Sequence, residues 1–228
     1  MAVPRQICRW HVYASLSALQ EDAARMILQS AEKAIREKGN FSIVLAGGGT
    51  PKGLYERLAF EAAAWNCWEI YFGDERCLPV DHPDRNSVMA SNSWLSHVSI
   101  PKENIHVIPA ELGPEEGAFR YSNTLKIIEE FDFVLLGLGE DGHTASLFPG
   151  RTWENRDVLP VCDAPKPPPE RISLSPSRLS ASHRVCFLVA GESKRRAVSE
   201  WKSGKPMPAS FIVPSSGVDI FIESSAIE

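Results

Sequence analysis

Residues 131–149 constrain the possible fold of this chain more than any other stretch. The segment 131–137 is mainly apolar, which is the pattern of a strand buried on both faces of a sheet. It runs directly into a segment, 138–149, that carries glycines, two acids, a histidine and hydroxyl side chains. In open α/β folds, ligands bind just beyond the carboxyl ends of such strands. We therefore predict that His143 lies at a strand end and acts as an acid or a base.

Strand patterns alternate with helix patterns along the whole chain, without internal repeats or low-complexity segments. This alternation predicts an α/β fold of three layers, with a mostly parallel sheet and helices on both faces, in a single domain over 1–228. The predicted strands are 7–13, 42–46, 68–72, 105–108, 132–137, 158–162, 171–174, 184–190 and 219–222. The predicted helices are 17–38, 51–62, 87–97, 115–130 and 192–203, and Gly39 is the expected stop of the first.

Composition narrows the class of protein. A net charge of -5 argues against nucleic acid or an anionic membrane as a partner, and no apolar run approaches the ~20 residues of a membrane helix. The N-terminal residues lack the pattern of a signal peptide. Five widely spaced cysteines without a C-x-x-C pair predict neither a disulfide framework nor a zinc site, and they favour a cytoplasmic location. We expect Cys67, Cys162 and Cys186 to pack in the core.

A glycine turn follows the strand 42–46. Gly47, Gly48 and Gly49 precede Thr50, the predicted N-cap, and Pro51, which suits the first position of a helix. Free backbone N–H groups and the helix dipole both favour an anion at such a turn. The alternative is a tight turn without a ligand, but three glycines exceed what that turn needs, so we predict a phosphate site.

The charged residues at strand ends suggest a site without a metal. Asp74, Glu75 and Arg76 follow the strand 68–72, as Asp141 and His143 follow 132–137, and no histidine pair has zinc-ligand spacing. A G-x-S-x-G nucleophile motif is also missing. Residues 137–142 match the G-x-G-x-x-G dinucleotide pattern, but Pro149 interrupts the helix that this pattern requires, so NAD is an unfavoured alternative.

Five motifs occur here in the order and spacing of the 6-phosphogluconolactonase family. They are L-A-G-G-G-T-P-K at 45–52, F-G-D-E-R at 72–76, D-H-P-D at 81–84, G-E-D-G-H-T-A-S-L-F-P at 139–149 and R-I-S-L at 171–174. The chain resembles this family over about residues 15–222. The resemblance implies the fold of the sugar-phosphate isomerases, including glucosamine-6-phosphate deaminase, and hydrolysis of 6-phospho-D-glucono-1,5-lactone in the oxidative pentose phosphate pathway. It implies no cofactor and a small sugar-phosphate lactone as the partner of a monomer or weak homodimer.

Within this resemblance, each candidate residue has an expected role. His143 would be the general base on water, and Asp141 or Asp74 would orient its ring. Arg76 would stabilise the oxyanion or bind the product carboxylate. The backbone N–H groups of Gly48, Gly49 and Thr50 would hold the phosphate, and the family pattern adds Arg171 and Lys194 as cations. Which cation meets the phosphate and which meets the carbonyl stays open.

Two positions bear on specificity. The related deaminases carry a glutamate where this chain has Phe148, which cannot transfer a proton, so the resemblance favours the lactonase over an amino-sugar-phosphate deaminase or isomerase. A sugar-phosphate sensor without catalysis is a third alternative, although such proteins usually carry an additional domain. Arg85 replaces a residue that is usually small in the family, and we expect it at the rim of the pocket.

Overall fold

The computed structural model describes residues 6–227, which form nine strands and six α-helices. The strands are β1 (Cys8–Tyr13), β2 (Phe41–Leu45), β3 (Trp68–Phe72), β4 (Asp74–Arg76), β5 (Phe133–Gly137), β6 (Val158–Val161), β7 (Arg171–Leu174), β8 (Val185–Val189) and β9 (Val218–Glu223). The helices are α1 (Leu16–Lys38), α2 (Gly49–Leu58), α3 (Asn86–Ser93), α4 (Pro114–Leu125), α5 (Pro176–Ser180) and α6 (Arg195–Lys202). Short 3-10 turns join several of these elements.

Two sheets organise the strands. The large sheet has six parallel strands in the order β1-β9-β8-β5-β2-β3, and the small sheet has three antiparallel strands in the order β4-β7-β6. β5 lies inside the large sheet, where the residues Phe133–Leu136 are buried on both faces. The predicted mostly parallel α/β sheet is therefore confirmed, and its buried apolar run is the strand that leads to His143.

Helices cover both faces of the large sheet. Tyr13 of β1 donates a hydrogen bond to Asp22, which places α1 on the face toward which Tyr13 points. Trp10, three residues earlier on the same strand, points to the other face and packs edge-on against Trp201 of α6, with ring centroids 5.5 Å apart. The sheet is thus the middle of three layers, as the alternating sequence pattern predicts. No helix within residues 6–227 is both long enough and apolar enough to cross a bilayer.

Several predicted boundaries are wrong for identifiable reasons. α4 ends at Leu125 rather than at 130 because the guanidinium of Arg178 takes the carbonyl groups of Ile128 and Glu129, at 2.8 and 2.9 Å. The segment 105–108 is no strand, since it pairs with β3 only through the bridge between Ile105 and Ile70.

Helix starts and one cysteine also differ from expectation. α1 is capped by Ser15, whose hydroxyl accepts a hydrogen bond from the backbone N–H of Ala18 at 3.2 Å, while Gly39 does end the helix. The predicted helix 87–97 is α3 followed by a 3-10 turn, and the first turn of 192–203 is likewise 3-10. Cys186 is buried as predicted, but Cys162 is exposed because it lies just beyond the end of β6.

Candidate active site

The carboxyl ends of four neighbouring parallel strands meet at one edge of the large sheet. β5 lies between β8 and β2, and β3 flanks β2, so the loops that leave these four strands converge there. The structure thus brings together seven of the predicted site residues, which are Gly48, Gly49, Thr50, Asp74, Asp141, His143 and Lys194. Arg76 and Arg171 lie beside them on the small sheet, because β4 begins two residues after β3 ends.

The loop after β5 folds back on itself to present His143. The backbone N–H of Gly139 donates to the carbonyl of His143 at 2.7 Å, and the hydroxyl of Thr144 donates to the carbonyl of Gly137 at 2.8 Å. Gly142 has φ 84 and Ala145 has φ 48, so the loop uses left-handed backbone on both sides of the histidine. A side chain on Gly139 would displace the imidazole, because its Cβ would lie 1.9 Å from Nδ1 of His143.

His143 and Asp141 form a hydrogen-bonded pair. Nδ1 of His143 lies 2.5 Å from Oδ1 of Asp141, and the same oxygen accepts the backbone N–H of His143 at 3.2 Å. Burial alone would raise the pKa of the Asp141 carboxyl, but the hydrogen bond and the charge of His143 outweigh burial and hold that pKa below its ordinary value. Of the two carboxylates predicted to orient the ring, Asp141 is therefore the one that contacts it.

This pairing leaves the other ring nitrogen available. A carboxylate at Nδ1 favours the tautomer that carries its proton there, so Nε2 of neutral His143 holds a lone pair. Within residues 6–227, Nε2 has no hydrogen-bond partner, and the side chain of His143 is 19% exposed. Phe148 is buried and packs on the ring with centroids 5.0 Å apart. The arrangement gives a fixed imidazole whose free nitrogen can accept a proton.

The glycine turn begins α2 in a different register from the predicted one. Gly48 is the N-cap, with φ 103, and Thr50 is the second helical residue, so the prediction of Thr50 as the N-cap is wrong. The first N–H groups of a helix have no acceptor within it, and here they belong to Gly48, Gly49 and Thr50. Together with the helix dipole, these groups make this turn suited to a phosphate.

Buried tyrosines hold the backbone where β2 and β3 end. The hydroxyl of Tyr55 accepts the N–H of Ala46 at 3.0 Å and donates to its carbonyl at 2.8 Å. The hydroxyl of Tyr121 does the same at Phe72, with distances of 3.0 and 3.3 Å. Both phenols are fully buried. The two phenols satisfy backbone N–H and carbonyl groups that the sheet leaves unpaired. They thereby fix the positions at which the two loops start.

Two arginines lie directly opposite each other across β4 and β7. Residues paired in this way point to the same face, so the guanidinium groups of Arg76 and Arg171 are neighbours. Arg171 is buried and donates to the carbonyl groups of Lys166, Pro167 and Pro168 at 3.0–3.1 Å. Burial lowers the pKa of Arg171; the Asp74 carboxylate opposes this shift, and the charge of Arg76 adds to it.

Lys194 reaches the same area from β8. Burial lowers its pKa, the nearby carboxylates Glu140 and Asp141 oppose that shift, and Lys166 adds to it.

A cavity of about 450 Å³ opens beside Asp141. Its lining consists of Glu140, Asp141, Pro149, Lys166, Arg196, Glu200, Lys205, Pro206 and Met207. The site therefore combines one acid–base pair with several cations.

Asp74 lies at the predicted edge without contacting His143, and Arg85 lies away from the predicted pocket rim. The carboxylate of Asp74 accepts hydrogen bonds from Asn86 and Ser146 rather than from His143. Arg85 is only 1% exposed, which excludes the predicted position at a pocket rim. It is buried because the carboxylates of Glu75 and Glu111 and the carbonyl of Ile108 surround it, at 3.5, 2.9 and 2.7 Å.

Residues that support the site and that sequence reasoning missed include Tyr55, Asn86 and Ser146. Ser146 lies within the histidine motif, so its position offered a signal, although its partner is distant along the chain. Asn86 and Tyr55 offered none, because an asparagine at a helix start and a tyrosine in a helix usually have local roles.

Comparison with known proteins agrees with this geometry. Residues 14–221 match the family described as glucosamine-6-phosphate isomerases/6-phosphogluconolactonase. A 6-phosphogluconolactonase from Synechocystis is 40% identical over 214 residues, which cover 86% of this chain and 87% of that protein.

Solved structures give the same result. The crystal structure of 6-phosphogluconolactonase from Thermotoga maritima superposes with a TM-score of 0.90 at 27% identity, covering 96% of this chain and 100% of that one. A monomeric glucosamine-6-phosphate deaminase shares the fold alone, with a TM-score of 0.82 at 23% identity over 96% of this chain and 98% of its own. The chain therefore belongs to the family of glucosamine-6-phosphate isomerases and 6-phosphogluconolactonases.

Proposed function

We propose that this protein hydrolyses 6-phospho-D-glucono-1,5-lactone to 6-phospho-D-gluconate, the lactonase step of the oxidative pentose phosphate pathway. The observation that carries the proposal is the His143–Asp141 pair, whose Nε2 has no hydrogen-bond partner within residues 6–227 and lies at the edge where the glycine turn also lies. The proposal is further supported by the 40% identical relative, which is named 6-phosphogluconolactonase.

His143 performs the proton transfers of the reaction. Nε2 accepts a proton from a water molecule as the water oxygen attacks the carbonyl carbon of the lactone. Asp141 keeps the ring in the required tautomer and stabilises the imidazolium that forms. When the tetrahedral intermediate collapses, the bond to the ring oxygen breaks, and the imidazolium returns the proton to that oxygen. The product is an open chain with one carboxyl group and one new hydroxyl group.

The surrounding donors and cations bind charge on the substrate. The N–H groups of Gly48, Gly49 and Thr50 hold the phosphate at the start of α2, with Arg171 and Lys194 as its cationic partners. Arg76 stabilises the oxyanion of the tetrahedral intermediate. Its guanidinium is held by a hydrogen bond from Nη1 to the carbonyl of Asp84.

Phe148 separates this reaction from ring-opening isomerisation. Its ring is 1% exposed and packs between His143 and the guanidinium of Arg171, which lies 5.7 Å from the ring centroid. A phenyl ring cannot exchange a proton with the sugar, so position 148 cannot supply the second proton-transferring group with which the related deaminases open the sugar ring. Phe148 therefore favours hydrolysis over deamination of an amino-sugar phosphate.

The proposal is tested by two rates measured on the purified protein. We expect formation of 6-phosphogluconate from the lactone well above the rate in enzyme-free buffer, and no ammonia release from glucosamine 6-phosphate. Ammonia release would instead assign the protein to the deaminases. A lactone rate equal to that in buffer would favour a sugar-phosphate sensor.

A substitution at Gly139 tests the placement of the imidazole. In Gly139→Ala, the new Cβ would lie 1.9 Å from Nδ1 of His143, so the ring has to move. Because displacement by about 1 Å can cost ~10²-fold in rate, we expect kcat for the lactone to fall by about 10-fold or more.

The matched control is Gly137→Ala, at the beginning of the same loop. A Cβ at Gly137 meets no atom within 4 Å among the described residues, so this variant should keep kcat near the wild-type value. Equal activity of the two variants would contradict the placement of His143.

A further inference from the structure

Three buried side chains form a hydrogen-bonded chain through the centre of the site. The amide nitrogen of Asn86 donates to Oδ1 of Asp74 at 3.1 Å and to the carbonyl of Asp74 at 2.8 Å. The hydroxyl of Ser146 donates to Oδ2 of Asp74 at 2.6 Å. The three residues are 3%, 6% and 2% exposed, so water does not compete for these bonds. Each carboxylate oxygen of Asp74 is thus used as an acceptor by a different element.

One end of this chain supports the glycine turn. Asn86 is the first residue of α3, and its side-chain oxygen fills the space beside Gly47, where a Cβ would lie 2.0 Å from Oδ1 of Asn86. Two backbone N–H groups at the start of α3, those of Asn86 and Ser87, are in turn held by the buried carboxylate of Glu75 at 2.7 and 2.9 Å. The bonds to Glu75 therefore fix the position of Asn86, and the glycine turn packs against the side chain of Asn86.

The other end supports the loop that carries the histidine. Ser146 is three residues after His143, and its backbone N–H is held by the hydroxyl of Ser173 on β7 at 3.2 Å. Ala145 between them has φ 48, a left-handed conformation that is strained for a residue other than glycine. Such a conformation persists only where the surroundings hold it. The bonds of Ser146 hold this side of the loop together with the backbone hydrogen bond from Leu147 to the carbonyl of Thr144 at 2.9 Å.

We propose that Asn86, Asp74 and Ser146 form a positioning unit that sets the distance between the glycine turn and His143. This inference rests on the proposed function, in which the turn holds the phosphate end of the substrate and His143 acts at the lactone end. Asp74 then acts through its hydrogen bonds, and it neither transfers a proton nor orients the imidazole. The unit matters for rate because one rigid substrate must meet both loops at the same time.

The test compares Ser146→Ala with Asp74→Asn. Ser146→Ala breaks the series of hydrogen bonds and leaves a buried carboxylate oxygen of Asp74 without its donor. Asp74→Asn keeps the series of hydrogen bonds, because an asparagine can accept from Asn86 through its oxygen and donate to the Ser146 hydroxyl through its nitrogen. We expect Ser146→Ala to lower kcat for the lactone by about 10- to 100-fold, with KM within about 3-fold of wild type. Asp74→Asn should keep kcat within about 5-fold, since loss of a hydrogen bond costs more than replacement of one.

A catalytic role for the Asp74 carboxylate predicts the reverse order, with Asp74→Asn the slower variant. That order overturns the inference, and so does a wild-type kcat in Ser146→Ala. The matched control is Ser93→Ala, because Ser93 is also buried but its hydroxyl has no partner within residues 6–227. Its kcat should equal that of wild type, and thermal melts of all variants report whether each is folded.

The same assay separates this inference from the proposed function. A wild-type protein no faster than buffer overturns both. An active wild-type protein in which Asp74→Asn is slower than Ser146→Ala overturns the positioning unit alone.

Discussion

Replacement of His143 by alanine is expected to lower kcat for lactone hydrolysis by about 10²–10⁴-fold, the usual contribution of a general base. Alanine removes the free Nε2 that would take the proton from water, while the backbone bonds of the loop, such as that from Gly139 to the carbonyl of residue 143, do not depend on the side chain. The phosphate-binding groups are also retained, so KM should change much less than kcat. The measurement is the steady-state rate of 6-phosphogluconate formation, corrected for the rate in buffer.

The control for this variant is His183→Ala. His183 is 66% exposed and its ring lies 3.6 Å from the carboxylate of Glu130, outside the site. We expect wild-type kinetics from His183→Ala. If His143→Ala kept a kcat within about 3-fold of wild type, general-base catalysis by His143, which is worth ~10²-fold or more, would be excluded.

Replacement of Arg85 by methionine is expected to lower the free energy of unfolding by about 3–5 kcal/mol, because it leaves a buried carboxylate without its cation. Glu75 is 0% exposed, and Nε of Arg85 lies 3.5 Å from its Oε2, an ion pair without a hydrogen bond. The variant also removes the donor to the carbonyl of Ile108 at 2.7 Å. Methionine keeps much of the volume, so the loss reports charge and hydrogen bonding rather than a cavity.

The measurement is unfolding in urea, with the midpoint and slope fitted for each variant. Arg120→Met is the matched control, because Arg120 forms an exposed ion pair with Glu116 at 2.6 Å on the surface of α4. Exposed pairs contribute little, so this control should unfold at nearly the wild-type midpoint. Equal midpoints for the two arginine variants would contradict the structural role of Arg85.

The sequence alone predicts the sheet and its functional edge because both follow from local patterns. A buried strand such as β5 has to be apolar, and the glycines after β2 and β5 are needed for left-handed or closely packed backbone at Gly48 and Gly142. Since parallel strands point in one direction, strand ends found separately in the sequence are expected at one edge. These rules require no knowledge of which side chains touch.

The contacts of Asp74 and Arg85 could not be predicted in this way. Asp74 and its donor Ser146 are 72 residues apart in sequence, and Arg85 and Glu111 are 26 apart. Whether a charged side chain is exposed or paired inside depends on elements that approach from elsewhere in the chain, which periodicity does not reveal. The predicted helix starts were wrong for a local reason. Several glycines and hydroxyl residues near Gly48 and Ser15 are all acceptable caps, so the sequence does not distinguish among them.

The two tyrosines at the ends of β2 and β3 have a consequence for alkaline stability. Burial raises the pKa of Tyr55 and of Tyr121 above the ordinary value of about 10, although the backbone hydrogen bonds partly oppose this. Below about pH 10, neither the folded nor the unfolded chain ionises these phenols, so pH does not act on them. Above it, the unfolded chain gains an ionisation that the folded chain is denied, and the free energy of unfolding must fall. The highest pH at which this fold is stable is thus set in part by two buried phenols at the ends of β2 and β3, which take no part in the chemistry of the site.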